Sequence, residues 1–200
     1  MTDARPPSYL ARRRPVVSAP SALGAQWAPG DMEVLPDIVG SDPVVVFCGL
    51  AGAASTKTRE HYYASPGNSF WQSLHLSGMS PRLLRPEEDH AVVELGLGLT
   101  DLVGHWDPRW VEIDELVDKV ERWAPEWLAF TSKGVAHEAA RALGRARPGL
   151  GMADWYLGPA QVFVLPGTSG ANQRKDYDGR PTRIAWWRDL AALAELPTRA

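Results

Sequence analysis

The sequence predicts an α/β protein, a three-layer α/β/α sandwich around a mainly parallel central sheet of about four strands. Short apolar runs that are continuous rather than alternating are typical of strands buried on both faces of a parallel sheet. Segments with helical spacing separate these runs, so strands and helices alternate along the chain. With 200 residues, of which 44% are hydrophobic, the chain is long enough for one domain with a substantial core.

Residues 1–42 form a predicted N-terminal leader that is flexible or draped over the rest of the protein. They are rich in Pro, Ser, Ala and Arg and show no sustained helical or strand period. Arg12, Arg13 and Arg14 could contact phosphates in a salt-sensitive way, or they could belong to a solvated tail. A single folded domain is predicted over residues 43–200.

The first half of that domain begins with a strand. Pro43 to Gly49 is a continuous, β-branched run. Asn68 to Ser77 has apolar residues at helical spacing and is followed by Gly78, a residue that commonly ends helices. Pro86 to Leu95 predicts a second helix, because proline and three acidic residues suit a first helical turn.

The second half repeats the alternation. Gly96 to Val103 predicts a strand, with the polar pair Thr100 and Asp101 near its end. The same criteria predict two more strands and three more helices. These are a helix from Asp114 to Trp123, a strand from Trp127 to Thr131, a helix from Lys133 to Leu143, a strand from Gln161 to Pro166, and a helix from Arg183 to Leu193.

Ligands of parallel α/β folds bind where the carboxyl ends of the strands open onto loops. Three loops are expected to meet at that edge of the sheet: Gly49 to Ser55, Thr100 to His105, and Gly167 to Asn172.

Composition excludes several classes of protein. The lone cysteine, Cys48, cannot form an intramolecular disulfide or a metal site built mainly on thiolates, which fits a cytoplasmic setting. The sequence has no apolar run of the roughly 20 residues needed to cross a bilayer and no hydrophobic signal core, so we expect no membrane association or export. The net charge of -3 argues against bulk coating of nucleic acid but allows a basic face.

The motifs of several enzyme classes are absent from the sequence. The glycine-rich segment after Gly49 lacks the Lys-Ser/Thr end of a P-loop and the spacing of a dinucleotide site. Neither a G-x-S-x-G elbow nor an H-E-x-x-H pair occurs. By itself, that glycine-rich segment is equally consistent with a tight turn.

Six motifs recur in a fixed order and carry a specific resemblance. They are F-C-G-L at 47–50, S-P-G-N-S-F-W at 65–71, L-S-G-M at 76–79, G-L-G-L-T-D-L-V at 96–103, A-F-T-S-K at 129–133, and V-L-P-G-T-S-G at 164–170. In this order they resemble the mismatch-specific uracil-DNA and thymine-DNA glycosylases of the uracil-DNA glycosylase superfamily. The match extends from about Val44 to Gly170 and into the last helix.

The resemblance implies a uracil-DNA glycosylase-like fold and a monofunctional enzyme. Such an enzyme flips a base out of DNA, hydrolyses its glycosidic bond and leaves an abasic site. The implied substrate is DNA containing uracil or other deaminated or mismatched bases, and the implied enzyme is a monomer that needs no metal or organic cofactor. The expected location is the cytoplasm, at the nucleoid. Lys133 lies in a scaffold segment of the family and is not an obvious Schiff-base residue.

The resemblance also implies site residues. Those of the base pocket are Gly49, Leu50, Ala51, Ala53, Tyr63 and Gly167, with Tyr63 stacking on the flipped base. The loop from Gly167 to Asn172 takes the position of the DNA-penetrating loop. Ala171 is small for its tip, so Asn172 or Gln173 could fill the vacated stack, with Arg174 and Lys175 on phosphates. The implied DNA-binding residues are Ser55, Thr56, Lys133, Thr168, Ser169, Gly170, Ala171, Asn172 and Arg174.

The sequence departs from the family pattern at Ala51, where the family has an asparagine that orients the attacking water. Asp101 is our candidate for the catalytic role. A carboxylate at a strand end could orient water and stabilise the positive charge that develops on the sugar. An aspartate there could instead simply cap a turn. Further polar candidates for holding water or phosphate are Ser55, Thr56, His61 and His105, whereas Asn68 is expected to cap a helix.

Two other functions remain open. A protein that lost its water-orienting group could bind damaged or abasic DNA without cleaving it. An unrelated α/β enzyme could act on nucleosides or small glycosides, and it would then cleave free deoxyuridine but ignore duplex DNA.

Overall fold

The computed structural model describes residues 35–50, 60–102, 113–170, 172 and 177–196. Five strands form one sheet in the order β2-β1-β3-β5-β4. Their bounds are β1 Val45–Gly49, β2 Leu97–Asp101, β3 Trp127–Phe130, β4 Gly151–Leu157 and β5 Ala160–Val164. The pairs β1–β2, β1–β3 and β3–β5 are parallel, which confirms the predicted mainly parallel sheet.

The central strand β1 shows why a continuous apolar run indicates this kind of sheet. All five of its residues are buried, because side chains that alternate between the two faces of the sheet meet a helical layer on each face. A half-exposed strand would place a polar residue at every second position.

The strand β4 was not predicted from the sequence. It lies at the edge of the sheet, antiparallel to β5, and exposed residues alternate with buried ones along most of it. Met152 and Tyr156 are among its exposed side chains. The prediction of about four strands was therefore one short, because a half-exposed edge strand lacks the continuous apolar run used to find the others.

The helices lie close to their predicted positions. They are α1 Phe70–Leu76, a 3₁₀ helix Pro86–Leu95, α2 Ile113–Trp123, α3 Lys133–Ala142 and α4 Arg183–Ala194. Gly96 ends the 3₁₀ helix with a φ of 72°, a left-handed conformation that glycine adopts without strain. Within the residues that the structure describes, no helix is long and apolar enough to cross a membrane.

Helices cover both faces of the sheet, as predicted for three layers. On one face, Phe47 of β1 stacks on Trp187 of α4 at a centroid distance of 5.5 Å and meets Phe70 of α1 edge-on. On the other face, Cys48 packs in a cluster that includes Leu116 of α2 and residues of α3. Each face of the sheet therefore has its own buried core.

Residues 35–42 fall in the predicted leader, and they lie against the sheet. Ile38 forms an antiparallel bridge with Leu99 of β2, with backbone hydrogen bonds of 2.9 and 2.8 Å. This bridge fixes the neighbouring Asp37 beside the carboxyl end of β2.

Candidate active site

The carboxyl ends of β1, β2 and β3 lie side by side. Gly49 is the register partner of Asp101, and the Leu102 amide donates to the Gly49 carbonyl at 2.8 Å. On the other side of β1, the Thr131 amide donates to the Cys48 carbonyl at 3.0 Å. The parallel register thus brings the beginnings of two of the three predicted loops together.

Asp101 lies directly against the backbone of Gly49. A Cβ atom added to Gly49 would collide with Asp101 Oδ1 and would lie 3.2 Å from Tyr63 Oη. The absence of a side chain at position 49 therefore leaves room for the carboxylate of Asp101 and the hydroxyl of Tyr63 at one point of the sheet edge.

The surroundings of Asp101 bring its ionisation into the neutral pH range. Burial, together with the negative charge of Asp37, raises the pKa of Asp101 from 3.8 to about 7, against the positive charge of Lys119, which lowers it. Asp37 is fixed by the Thr100 hydroxyl, which donates to it at 2.6 Å, and by Lys119 Nζ at 3.1 Å. A carboxyl group with this pKa can exchange a proton near neutral pH.

Tyr63 forms an aromatic wall beside this carboxylate. Its ring stacks on Phe70 with a centroid distance of 3.8 Å and an interplanar angle of 8°. Its hydroxyl donates to Thr131 Oγ1 at 3.4 Å, and burial raises the pKa of Tyr63 well above its usual value, so the hydroxyl stays protonated. Tyr63 has a φ of 54°, an uncommon conformation for a bulky residue and one found often at functional sites.

The third predicted loop packs against the segment that precedes α1. The Thr168 carbonyl accepts hydrogen bonds from the Ser69 amide at 2.9 Å and from the Ser69 hydroxyl at 3.1 Å. Gly170 approaches Gly67 so closely that an added Cβ at Gly170 would lie 2.9 Å from the Gly67 carbonyl oxygen. Asn172 donates from Nδ2 to the Gly167 carbonyl at 2.9 Å.

Lys133 begins α3 close to this loop. Ser132 caps the helix by accepting from the Val135 amide at 3.2 Å, and its Cβ would lie 3.5 Å from a Cβ added to Gly167. Lys133 Nζ pairs with Asp178 at 2.8 Å. The predicted DNA-binding lysine therefore has an acidic partner in this structure.

The remaining predicted site residues divide into two groups. Leu50 is 36% exposed at the end of β1. His61 lies 3.4 Å from the carboxylate of Asp89. Asn68 Oδ1 accepts from the Phe70 amide at 3.0 Å, although Ser69, and not Asn68, is the N-cap residue of α1. Outside the described residues lie Ala51, Ala53, Ser55, Thr56, His105, Ala171, Gln173, Arg174 and Lys175, so their roles stay predictions.

Several residues of this site were not identified from the sequence. Thr131 follows a buried strand, the same signal that identified Asp101, and could have been found in that way. Phe70 was assigned only to a helix, and Asp37 to the leader. Lys119 lies in α2 without any sequence signal that would connect it with β2.

No metal site is evident in the described part of the chain. No group of three or more His, Cys, Asp or Glu side chains among those residues could hold a metal ion. The expectation that the enzyme needs no cofactor stays a prediction.

Comparison with known proteins identifies the family. The family model described as "Uracil DNA glycosylase superfamily" matches residues 36–191. The chain belongs to this superfamily. The match includes Asp37, Gly49, Tyr63, Asp101 and the loop that follows β5, so the sheet edge described above lies within the family region.

A solved structure shows the same fold. The solution NMR structure of a candidate uracil DNA glycosylase from Methanosarcina acetivorans matches this superfamily member with a TM-score of 0.54 and 17% sequence identity. The match covers 81% of this chain and 97% of the archaeal chain. Superfamily membership supports DNA glycosylase activity, a hydrolase activity of DNA repair, with DNA as the substrate.

Proposed function

We propose that this glycosylase excises uracil, and other deaminated or mismatched bases, by hydrolysis that depends on Asp101. The observation that carries the proposal is the position of Asp101 Oδ1, which lies against Gly49 beside the hydroxyl of Tyr63. A carboxylate, an aromatic wall and a site without a side chain thus meet at the sheet edge where α/β proteins bind ligands. The ordered sequence motifs favour the mismatch-specific branch of the superfamily.

In the proposed reaction, the carboxylate of Asp101 orients a water molecule toward C1′ of the flipped nucleotide. As the bond between C1′ and the base nitrogen breaks, its electron pair leaves with the base and positive charge develops on the sugar. The negative charge of Asp101 stabilises that transition state. Water adds to C1′ and gives its proton to Asp101, and the departing base takes a proton from solvent, so no covalent intermediate with the protein forms.

The same proposal assigns binding of the base to Tyr63. Its stack on Phe70 fixes the ring plane, and a flipped base can then stack on the aromatic wall. The loop from Gly167 to Asn172 would enter the duplex, and its backbone amides would contact phosphates. Lys133 would leave its ion pair with Asp178 and contact a DNA phosphate instead.

Single-turnover cleavage of labelled duplexes with uracil opposite guanine or adenine tests this function. Alkaline treatment would break the strand at abasic sites. The wild-type protein should cleave, and Asp101→Asn should be slower by roughly 100-fold or more with little change in DNA affinity, as expected for loss of a catalytic base. Asp118→Asn, on an exposed position of α2, is the matched control and should cleave like wild type. Equal rates for Asp101→Asn and wild type would remove Asp101 from the mechanism.

A second candidate function is binding of damaged or abasic DNA without cleavage. Ala51 supports it, because a methyl group cannot hold the water that the family asparagine orients. In the same assay, tight binding to lesion-containing duplex without any wild-type cleavage would favour this function.

A further inference from the structure

We propose that Arg183 is a positioning residue that bridges Ser69, in the loop that precedes α1, and Asn172, in the proposed DNA-penetrating loop, and so holds these two loops together. This inference rests on the proposed function for its consequence in DNA binding. The bridge itself can be tested without DNA.

Arg183 is the first residue of α4, and it reaches both loops at once. Its Nη1 donates to Ser69 Oγ, in the segment that leads into α1. Its Nη2 donates to the Asn172 carbonyl at 3.2 Å, at the end of the predicted DNA-penetrating loop. The planar guanidinium has donors on two branches, which allows this bridge, whereas a lysine ammonium acts as a point charge.

The two loops also contact each other directly. Ser69 donates from its amide and its hydroxyl to the Thr168 carbonyl. Gly67 and Gly170 meet backbone to backbone, where any side chain on Gly170 would crowd the Gly67 carbonyl. Arg183 therefore joins an interface in which the spacing of two backbones is set by contacts between small residues.

Among the described residues, Arg183 lacks the acidic partner that the nearby Arg180 has. Arg180 pairs with Asp189, whereas Arg183 makes no ion pair with a carboxylate among the residues that the structure describes. Its Nε is buried without a hydrogen-bond partner there, which costs free energy. Folding stability alone therefore gives little reason for a charged side chain whose partners are a hydroxyl and a carbonyl. A need to hold the two loops at a fixed spacing does explain it.

Loop geometry is important for DNA binding because phosphate contacts from backbone amides need donors at fixed positions. If α4 releases the two loops, the amides lose their spacing and binding weakens. Within the described residues, no hydrogen bond, ion pair or ring contact joins Arg183 to Asp101 or Tyr63, so the chemical step at saturating protein should change little.

The test compares Arg183→Gln and Arg183→Lys with a control on the same helix, Arg188→Gln. Arg188 is exposed and donates from Nε to the Leu76 carbonyl at 3.3 Å, so its removal also loses a positive charge and a contact between α4 and α1. Two measurements are made on each folded variant. One is amide hydrogen exchange of the free protein, and the other is single-turnover cleavage of a uracil-containing duplex over a range of protein concentrations.

Both Arg183 variants should exchange faster than wild type in residues 65–70 and 167–170, and Arg188→Gln should not. The protein concentration at half-maximal rate should rise roughly tenfold in both Arg183 variants, with a maximal rate within about threefold of wild type, because positioning affects binding more than chemistry. Arg183→Lys keeps the charge but not the two-branched bridge, so its failure to restore affinity supports positioning.

Three results would overturn the proposal. Unchanged exchange in the Arg183 variants would remove the bridge. If Arg183→Lys bound DNA as tightly as wild type, a positive charge at position 183 would be sufficient for DNA affinity and the bridge would not be needed. If the slope of log affinity against log salt concentration became shallower by about one in Arg183→Gln, Arg183 would be a direct phosphate ligand. If wild type neither binds nor cleaves DNA, the proposed function fails, and hydrogen exchange still reports on the bridge.

Discussion

Gly49 and Asp101 are register partners at the carboxyl ends of two parallel strands, and the α-carbon of Gly49 faces Asp101 Oδ1. Gly49 has the backbone conformation of an ordinary strand residue, so conformation does not require glycine here. What requires it is the close approach of the Asp101 side chain. Gly49→Ala should place a methyl group against Oδ1, displace the carboxylate and lower the excision rate by roughly tenfold or more.

Single-turnover cleavage measures this effect. Gly134→Ala is the matched control, because an added Cβ at Gly134 meets only Ser132 Oγ, at an ordinary 3.5 Å, and alanine favours a helix. A fully active Gly49→Ala variant would show that the position of Asp101 Oδ1 is not critical.

The pH dependence of excision should follow the ionisation of Asp101. Burial raises its pKa to about 7, and the proposed mechanism requires the carboxylate. The single-turnover rate should therefore rise with pH and level off above about 7, and residual activity of Asp101→Asn should lack this rise. A rate that falls above pH 7 would instead indicate that Asp101 acts in its protonated form.

The same carboxyl group should destabilise the folded protein at high pH. Because the pKa of Asp101 is about 7 in the folded state, well above the 3.8 of an ordinary aspartate, the folded protein binds the proton more tightly than the unfolded chain does. Stability is therefore lost as pH rises from about 4 to 7. Asp101→Asn should raise the free energy of unfolding by roughly 4 kcal/mol at pH 8, with a smaller gain at pH 5. Urea unfolding at both pH values measures this difference, and an equal gain at both would contradict it.

The ring of Tyr63 should contribute more to excision than its hydroxyl. Tyr63→Phe keeps the stack on Phe70 and loses the 3.4 Å hydrogen bond to Thr131, so its rate should stay within a few-fold of wild type. Tyr63→Ala should lose roughly 10-fold or more, as expected when a base loses an aromatic stacking partner. Equal losses in both variants would assign the effect to the hydroxyl.

The ion pair between Lys133 and Asp178 should weaken DNA binding. Asp178→Asn removes the negative charge, retains an oxygen for the Leu150 amide at 3.2 Å, and suits the φ of 53° at this position. Fluorescence anisotropy at low salt should show affinity for duplex DNA increased a few-fold, more than in the exposed Asp118→Asn control. Equal increases in both variants would point to net charge alone.

Parts of the site were predictable from sequence because their signals are local. The continuous run of β1 predicts a strand buried on both faces, and a polar residue at the end of a strand identified Asp101. The ordered motifs indicated the superfamily to which the chain belongs. The strand β4 was missed because its exposed and buried residues alternate, so it lacks the continuous apolar run by which the other strands were predicted.

By itself, the sequence determined the α/β alternation, most strand and helix positions, and Asp101 as a candidate. Only the tertiary structure decided the surroundings of these residues. Asp37 meets Thr100 across 63 positions of sequence and Arg183 meets Ser69 across 114. The physical reason is that hydrophobic periodicity depends on near neighbours along the chain, whereas these contacts depend on how separate elements pack after the sheet has formed.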